Sequence, residues 1–189
     1  MKLDRSRLGG ILTVVLTVVF SVGLVSIPTD TLIGYLGTEN GYLFMYLIAF
    51  VGSITTFASI PYPLFLISLA AGGFSPLLIG LTSALGVITA DSVTFLVAQK
   101  SRVLLSDGLQ ASITKIGSHI ERYPHLLTPG LVAYGTLSPL SNDFAVMTLS
   151  LMKYHYLQVI PPLAIGNIIY NIAVAYLGIY AYNWIVGLF

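Results

Sequence analysis

The sequence predicts an all-α polytopic membrane protein. It reads as three spanning helices plus two opposed re-entrant helical hairpins in an inverted repeat, with a cytoplasmic amphipathic helix. Three observations carry that expectation. The 189 residues are 56% hydrophobic and 8% charged, against roughly 25% charged in a soluble domain. Eight basic and seven acidic side chains cannot cover a soluble fold of this length, so lipid is the expected solvent. Two of the five apolar stretches are long and broken centrally by proline and small polar residues. The lysines and arginines fall into place only if those two stretches return to the side they entered from.

The first element is 10–27, "GILTVVLTVVFSVGLVSI", behind the basic segment "MKLDRSRLG". It is longer than a signal-peptide core and no A-x-A site follows, so we read it as an uncleaved spanning helix. Residues 43–72, "LFMYLIAFVGSITTFASIPYPLFLISLAAG", contain Pro61 and Pro63 within the apolar run and read as re-entrant hairpin 1. Residues 76–98 are one bilayer crossing at about 20 residues per span. In 103–122, Leu109, Ile113, Ile116 and Ile120 form one apolar stripe, with Lys115, His119 and Arg122 off it. That is the pattern of a helix lying at the inner surface or against the protein itself. Residues 126–152 contain "LSPLSND", with Pro139 at the break, and read as re-entrant hairpin 2. Residues 157–186 form the last span, with Pro161 and Pro162 in its first turns, where proline is tolerated.

Charge sets the orientation. Lys2, Arg5 and Arg7 precede the first helix, which makes the N-terminus cytoplasmic. Loop 28–42 carries Asp30 and Glu39 and no base, as an external loop should. Segment 99–125 carries Lys100, Arg102, Lys115 and Arg122 and is expected inside, so 76–98 runs inward and 43–72 must return outside. By the same reasoning Lys153 returns 126–152 to the inside, and 157–186 leaves an external C-terminus. Hairpin then helix, twice and in opposite orientation, is an inverted repeat. Weak internal similarity agrees: Pro61 pairs with Pro139, and Gly86 with Gly166 after a two-residue insertion. Broken backbone at membrane depth survives only against protein or a wet cavity, so the tips at Pro61, Pro63 and Pro139 are expected to meet near the midplane.

Polar residues at that depth are the candidate site: Asp91, Asp143, Asn142, Asn167 and Asn171. An ionised carboxylate costs about 2.5–3.5 kcal/mol at the centre of a spanning helix, so such residues face an interior and are functional candidates by default. They are a proposed substrate and proton site. The competing reading is structural: an aspartic acid bonded to neighbouring backbone, and asparagines as interhelical glue. Asn167 and Asn171, four residues apart, share a helix face. Ser83, Gly86 and Ala90 form a small-residue stripe suited to close packing. The chain has no cysteine, and its three histidines make no H-x-x-x-H pattern, so no metal or cofactor is expected. Net charge is +1, which argues against nucleic acid.

Three stretches resemble the DedA family, also called the VTT or SNARE-associated domain, over about residues 45–180. "IPYPLFLISLAAGGFSP" is similar to the family's first P-x-P hairpin, and "LGVITADSVTFLVAQKSR" to its helix with a central aspartate and basic exit. "PLSNDFAVMTLSLMKYHYLQVIPPLAIGNIIYNIAVAYLG" is similar to its second hairpin and last helix. The resemblance implies opposed re-entrant hairpins and the transport, flipping or scrambling of lipids, often polyprenyl phosphates, with proton coupling in some members. Asp91 matches the family's helix aspartate, and Asp143 an acid at the second tip in some branches. Two departures stand out. The usual acid near the first hairpin is absent, with Thr55, Thr56 and Leu64 there instead. The arginines around the second hairpin are also absent, and arginine is the natural partner of phosphate.

The expectation is therefore a membrane transporter or lipid flippase/scramblase in the cell (plasma or inner) membrane. Its expected partners are membrane lipids and protons, with a homo-oligomer left open. The alternatives are proton-coupled export of a small solute and a non-transporting scaffold. No enzyme is expected, since no catalytic constellation falls at helical spacing.

Overall fold

The computed structural model describes residues 40–54, 62–102, 123–137 and 141–186, and these are helical without a strand. The expected helix 10–27, the amphipathic helix 103–122, and Pro61 and Pro139 lie outside the described residues. Six α-helices follow one another: α1 (Gly41–Ile54), α2 (Tyr62–Ala71), α3 (Pro76–Ser101), α4 (Leu127–Leu137), α5 (Asn142–Leu151) and α6 (Tyr156–Val186). A 3₁₀ turn, Pro124–Leu126, leads into α4.

Two helices are long and apolar enough to cross a membrane, Pro76–Ser101 and Tyr156–Tyr180. α3 begins where Pro76 takes the first helical position behind Ser75, a place where its missing N–H costs nothing. It runs three residues beyond the expected 98, with Lys100 in its last turn, where a cation complements the helix dipole. Its 26 residues span about 39 Å at about 1.5 Å per residue. α6 carries Pro161 and Pro162 inside its second turn. Each removes one donor, to the carbonyls of Leu157 and Gln158, at exposed residues near the end of the helix.

The two broken stretches each form a pair of short helices. α1 starts beside the exit of α2: a Cβ on Gly41 would touch the Phe74 ring, and Tyr42 meets Phe74 edge-on at 5.2 Å. α4 likewise starts beside the end of α5, where Leu127 and Leu131 share a core with Leu149 and Met152. Each pair therefore runs out and back. The first opens at the N-terminal end of α3, because Phe74 and Ser75 lead directly into Pro76. The second opens at its C-terminal end, where Arg102 donates through Nε and Nη2 to the carbonyl of Ser150 near the end of α5.

The two helix pairs share several local features. α2 and α5 are both ten residues long and start eighty residues apart. Both end in a Schellman turn: Phe74 N–H donates to the Leu69 carbonyl and Gly73 to Ala70, and, eighty residues on, Tyr154 to Leu149 and Lys153 to Ser150. Gly73 takes the left-handed conformation at φ 99°, and Lys153 takes it at φ 69° without being a glycine. α1 packs on α3 and α2 on α6; α4 packs on α6 and α5 on α3. Gly86 lets α1 approach so closely that a Cβ would lie 2.5 Å from the Tyr46 carbonyl oxygen. Gly166 does the same for α4, 2.6 Å from the Val132 oxygen. Glycine at such crossings is what allows backbones to touch. Two cores result, one around Met45, Leu66, Ile79 and Ala175, the other around Leu131, Val146, Val159 and Phe95.

Candidate functional site

The starts of α2 and α5 converge midway along α3 and α6, and there the buried polar residues gather. Asp91, from α3, is 2% exposed, and its Oδ2 accepts two amides: Nδ2 of Asn167 at 3.0 Å and Nδ2 of Asn142 at 3.2 Å. Asn142 also donates to Oδ1 of Asn167 at 2.7 Å. Three side chains from three helices thus close a triangle. Both donors use the same carboxyl oxygen, which leaves Oδ1 of Asp91 as the atom able to carry a proton without breaking it.

Asn171, fully buried one turn further along α6, extends the network. Its Nδ2 donates to the Asn167 carbonyl at 2.8 Å, and its Oδ1 accepts from the Ser83 hydroxyl at 2.8 Å. Tyr62, the first residue of α2, turns its hydroxyl toward Asn171, with Tyr170 and Asp91 nearby. The arrangement is reciprocal. The first residue of α2 meets Asn171 on α6, while the first residue of α5, Asn142, meets Asp91 on α3. Asp91 and Asn171 are themselves eighty residues apart, the same spacing as α2 and α5.

Asp143 is 6% exposed at the first turn of α5. Ser141 caps that turn, its Oγ accepting from the Asp143 N–H and donating to Oδ2 at 3.1 Å, while Thr94 donates to Oδ1 at 3.1 Å. A carboxylate over a helix N-terminus is well placed electrostatically. Asp143 is near enough to Asp91 for two negative charges to repel. No Lys, Arg or His occurs in 41–99, 126–152 or 156–186. Among the described residues the bases stand only at the ends of these helices or beyond them, and none is bonded to either carboxylate.

All five predicted polar residues are thus buried or half-buried around one point, from positions up to eighty residues apart. Pro63 stands one residue inside the start of α2. Sequence reasoning assigned no site role to Tyr62, Thr94 or Ser141, and treated Ser83 as packing. The serine before "ND" is an N-cap signal that could have identified Ser141; nothing local marks Thr94. Gly86 and Ala90 do pack, as the stripe reading expects. Among the described residues no group of three or more His, Asp or Glu could hold a metal ion. Comparisons with known protein families, with curated proteins and with solved structures find no match.

Proposed function

We propose that this chain is a membrane transporter or lipid flippase/scramblase of the DedA type, moving a lipid or amphiphile past a site midway through the bilayer. In this reading the two helix pairs are re-entrant hairpins of an inverted repeat, entering from opposite faces, and the protein is multi-pass. The observation that carries it is the convergence of Tyr62 and Asn142, the first residues after each break, on Asp91 and Asn171 halfway along the membrane-length helices. Transporters built on inverted repeats place their sites at that junction of broken helices. The matched turns, glycine crossings and cores support the repeat. Buried carboxylates with no basic partner among the described residues suit proton coupling, since intramembrane acids serve proton relays.

The test is reconstitution in liposomes. Wild type is expected to accelerate dithionite quenching of labelled phospholipid in a pH-dependent way, and Asp143→Asn to abolish the pH dependence while leaving the fold intact. Equal behaviour of the two proteins across the pH range would favour a non-transporting scaffold. A second reading, proton-coupled export of a small solute, is favoured by the absence of any basic side chain from 43–72 and 126–152. It predicts pH-dependent solute flux with no acceleration of quenching.

A further inference from the structure

The two helix pairs match closely except at one place. In the first pair, Phe44 of α1 and Phe65 of α2 meet edge-on at 6.1 Å and fill the space between their helices. At the spacing that relates Tyr46 to Val132 and α2 to α5, the corresponding residues of the second pair are Gly130 and Ala145. Where the rings would stand there is an open groove of about 640 Å³, lined by both of these with Leu127, Leu131, Phe144 and Thr148. That volume lies within the roughly 300–1,000 Å³ of small-molecule sites. A Cβ on Gly130 would touch nothing within 4 Å.

We propose that this groove holds one acyl chain of an anionic membrane phospholipid, with its phosphate at the surface end. The proposal takes the chain to lie in a membrane, as above, but does not require that it transports. Apart from the hydroxyls of Tyr123, Tyr134 and Thr148, the side chains lining the groove are hydrocarbon, and Leu126 and Phe144 on its lining are both exposed. Its surface end is Tyr123. Beyond that end lie exposed His125, Lys153 and Lys100, and no acid among the described residues is at that level. Its inner end is Tyr134, whose hydroxyl donates to the Ser141 carbonyl at 2.9 Å, one residue before the Asn142–Asp143 turn. A lipid chain gains no hydrophobic energy by leaving the bilayer for such a groove, because lipid tails are as apolar as its walls. Retention must therefore come from shape and from the headgroup, and basic side chains at the surface attract anionic lipid. The groove supplies the shape, Lys153 the charge, and the exposed His125 a ring N–H able to donate to the phosphate. The deep site has no base among the described residues, so the phosphate stays at the rim.

The test is photo-crosslinking of the full chain in phosphatidylcholine vesicles that contain phosphatidylglycerol with a diazirine on one acyl chain. Adducts are mapped by mass spectrometry. They are expected to concentrate on Leu127, Leu131, Phe144 and Thr148, above the level on Leu77 and Leu177, which are exposed elsewhere. Gly130→Phe with Ala145→Phe installs the ring pair that the first half already has and should reduce the groove adducts roughly tenfold. Gly130→Leu, whose side chain enters open space, should reduce them also if the double variant fails to fold. Lys153→Gln with His125→Gln should lower labelling by phosphatidylglycerol and leave labelling by a phosphatidylcholine probe unchanged. Equal adduct density on Leu77, Leu177 and the groove, or groove labelling unaffected by filling it, would overturn the proposal. Asp143→Asn should leave the adducts in place; groove labelling in wild-type protein that shows no transport in the same vesicles would count against the transport reading alone.

Discussion

Replacing Asn142 by alanine removes the side chain that joins α5 to both α3 and α6. Two hydrogen bonds go, to Asp91 Oδ2 at 3.2 Å and to Asn167 Oδ1 at 2.7 Å. Interhelical hydrogen bonds in membranes average about 0.6 kcal/mol, so the pair contributes about 1.2 kcal/mol. Asn167 Oδ1 is then left buried without its donor, which costs about 1 kcal/mol more. Asp91 keeps the Asn167 amide at 3.0 Å, so no large additional penalty arises there. The expected loss is about 2 kcal/mol, roughly a thirtyfold change in the unfolding equilibrium. It is measured by reversible unfolding in mixed micelles followed by circular dichroism. Because Asn142 and Asn167 share Asp91, a double-mutant cycle with Asn167→Ala should give a coupling energy of about 1 kcal/mol. Additivity within about 0.3 kcal/mol would refute the triangle, since independent sites add within that margin.

Other consequences follow from the helix crossings and turns. Gly166→Ala drives a Cβ to 2.6 Å from the Val132 oxygen and should destabilise by about 1–3 kcal/mol as α4 and α6 separate. Gly130→Ala, in open space on the same helix pair, should instead stabilise by about 0.5–1 kcal/mol; both are read from the same micelle unfolding curves. Lys153 holds φ 69° in its Schellman turn, so Lys153→Gly should gain about 0.5–1 kcal/mol by relieving left-handed strain. A loss on that substitution would mean that the lysine side chain contributes more than its backbone costs.

Much of the frame was legible from the sequence, because apolar runs and proline breaks are local signals. The start of α3 at Pro76 follows from the Ser-Pro pair, whereas Pro61 and Pro139, on which the expected breaks rest, lie outside the described residues. The end of α3 was less legible. Lys100 and Ser101 read as loop, but the helix continues to bring Arg102 against Ser150, a partner 48 residues away. The site was legible as a set of residues and illegible as a network. Asp91 lies about seven residues before the expected end of its helix, yet it is 2% exposed because Asn142 and Asn167 cover it. Those contacts cross 51 and 76 positions, which no periodicity encodes. Ser83 sits in a stripe of small residues whose packing role is real, and its bond to Asn171 adds a second role that composition hides. The groove was invisible for a related reason: it depends on comparing Gly130 and Ala145 with Phe44 and Phe65, and only the paired helices reveal that correspondence.

The account depends on two helix pairs that dip into the bilayer from opposite faces and meet at Asp91 and Asn171. The naturally cysteine-free chain allows this to be measured directly, with single cysteines at Tyr62 and Ser141 and membrane-impermeant thiol reagents applied to each side in turn. Slow labelling of Tyr62→Cys from outside only, and of Ser141→Cys from inside only, is the predicted result. Labelling of both from one face, or the reverse sidedness, would contradict it.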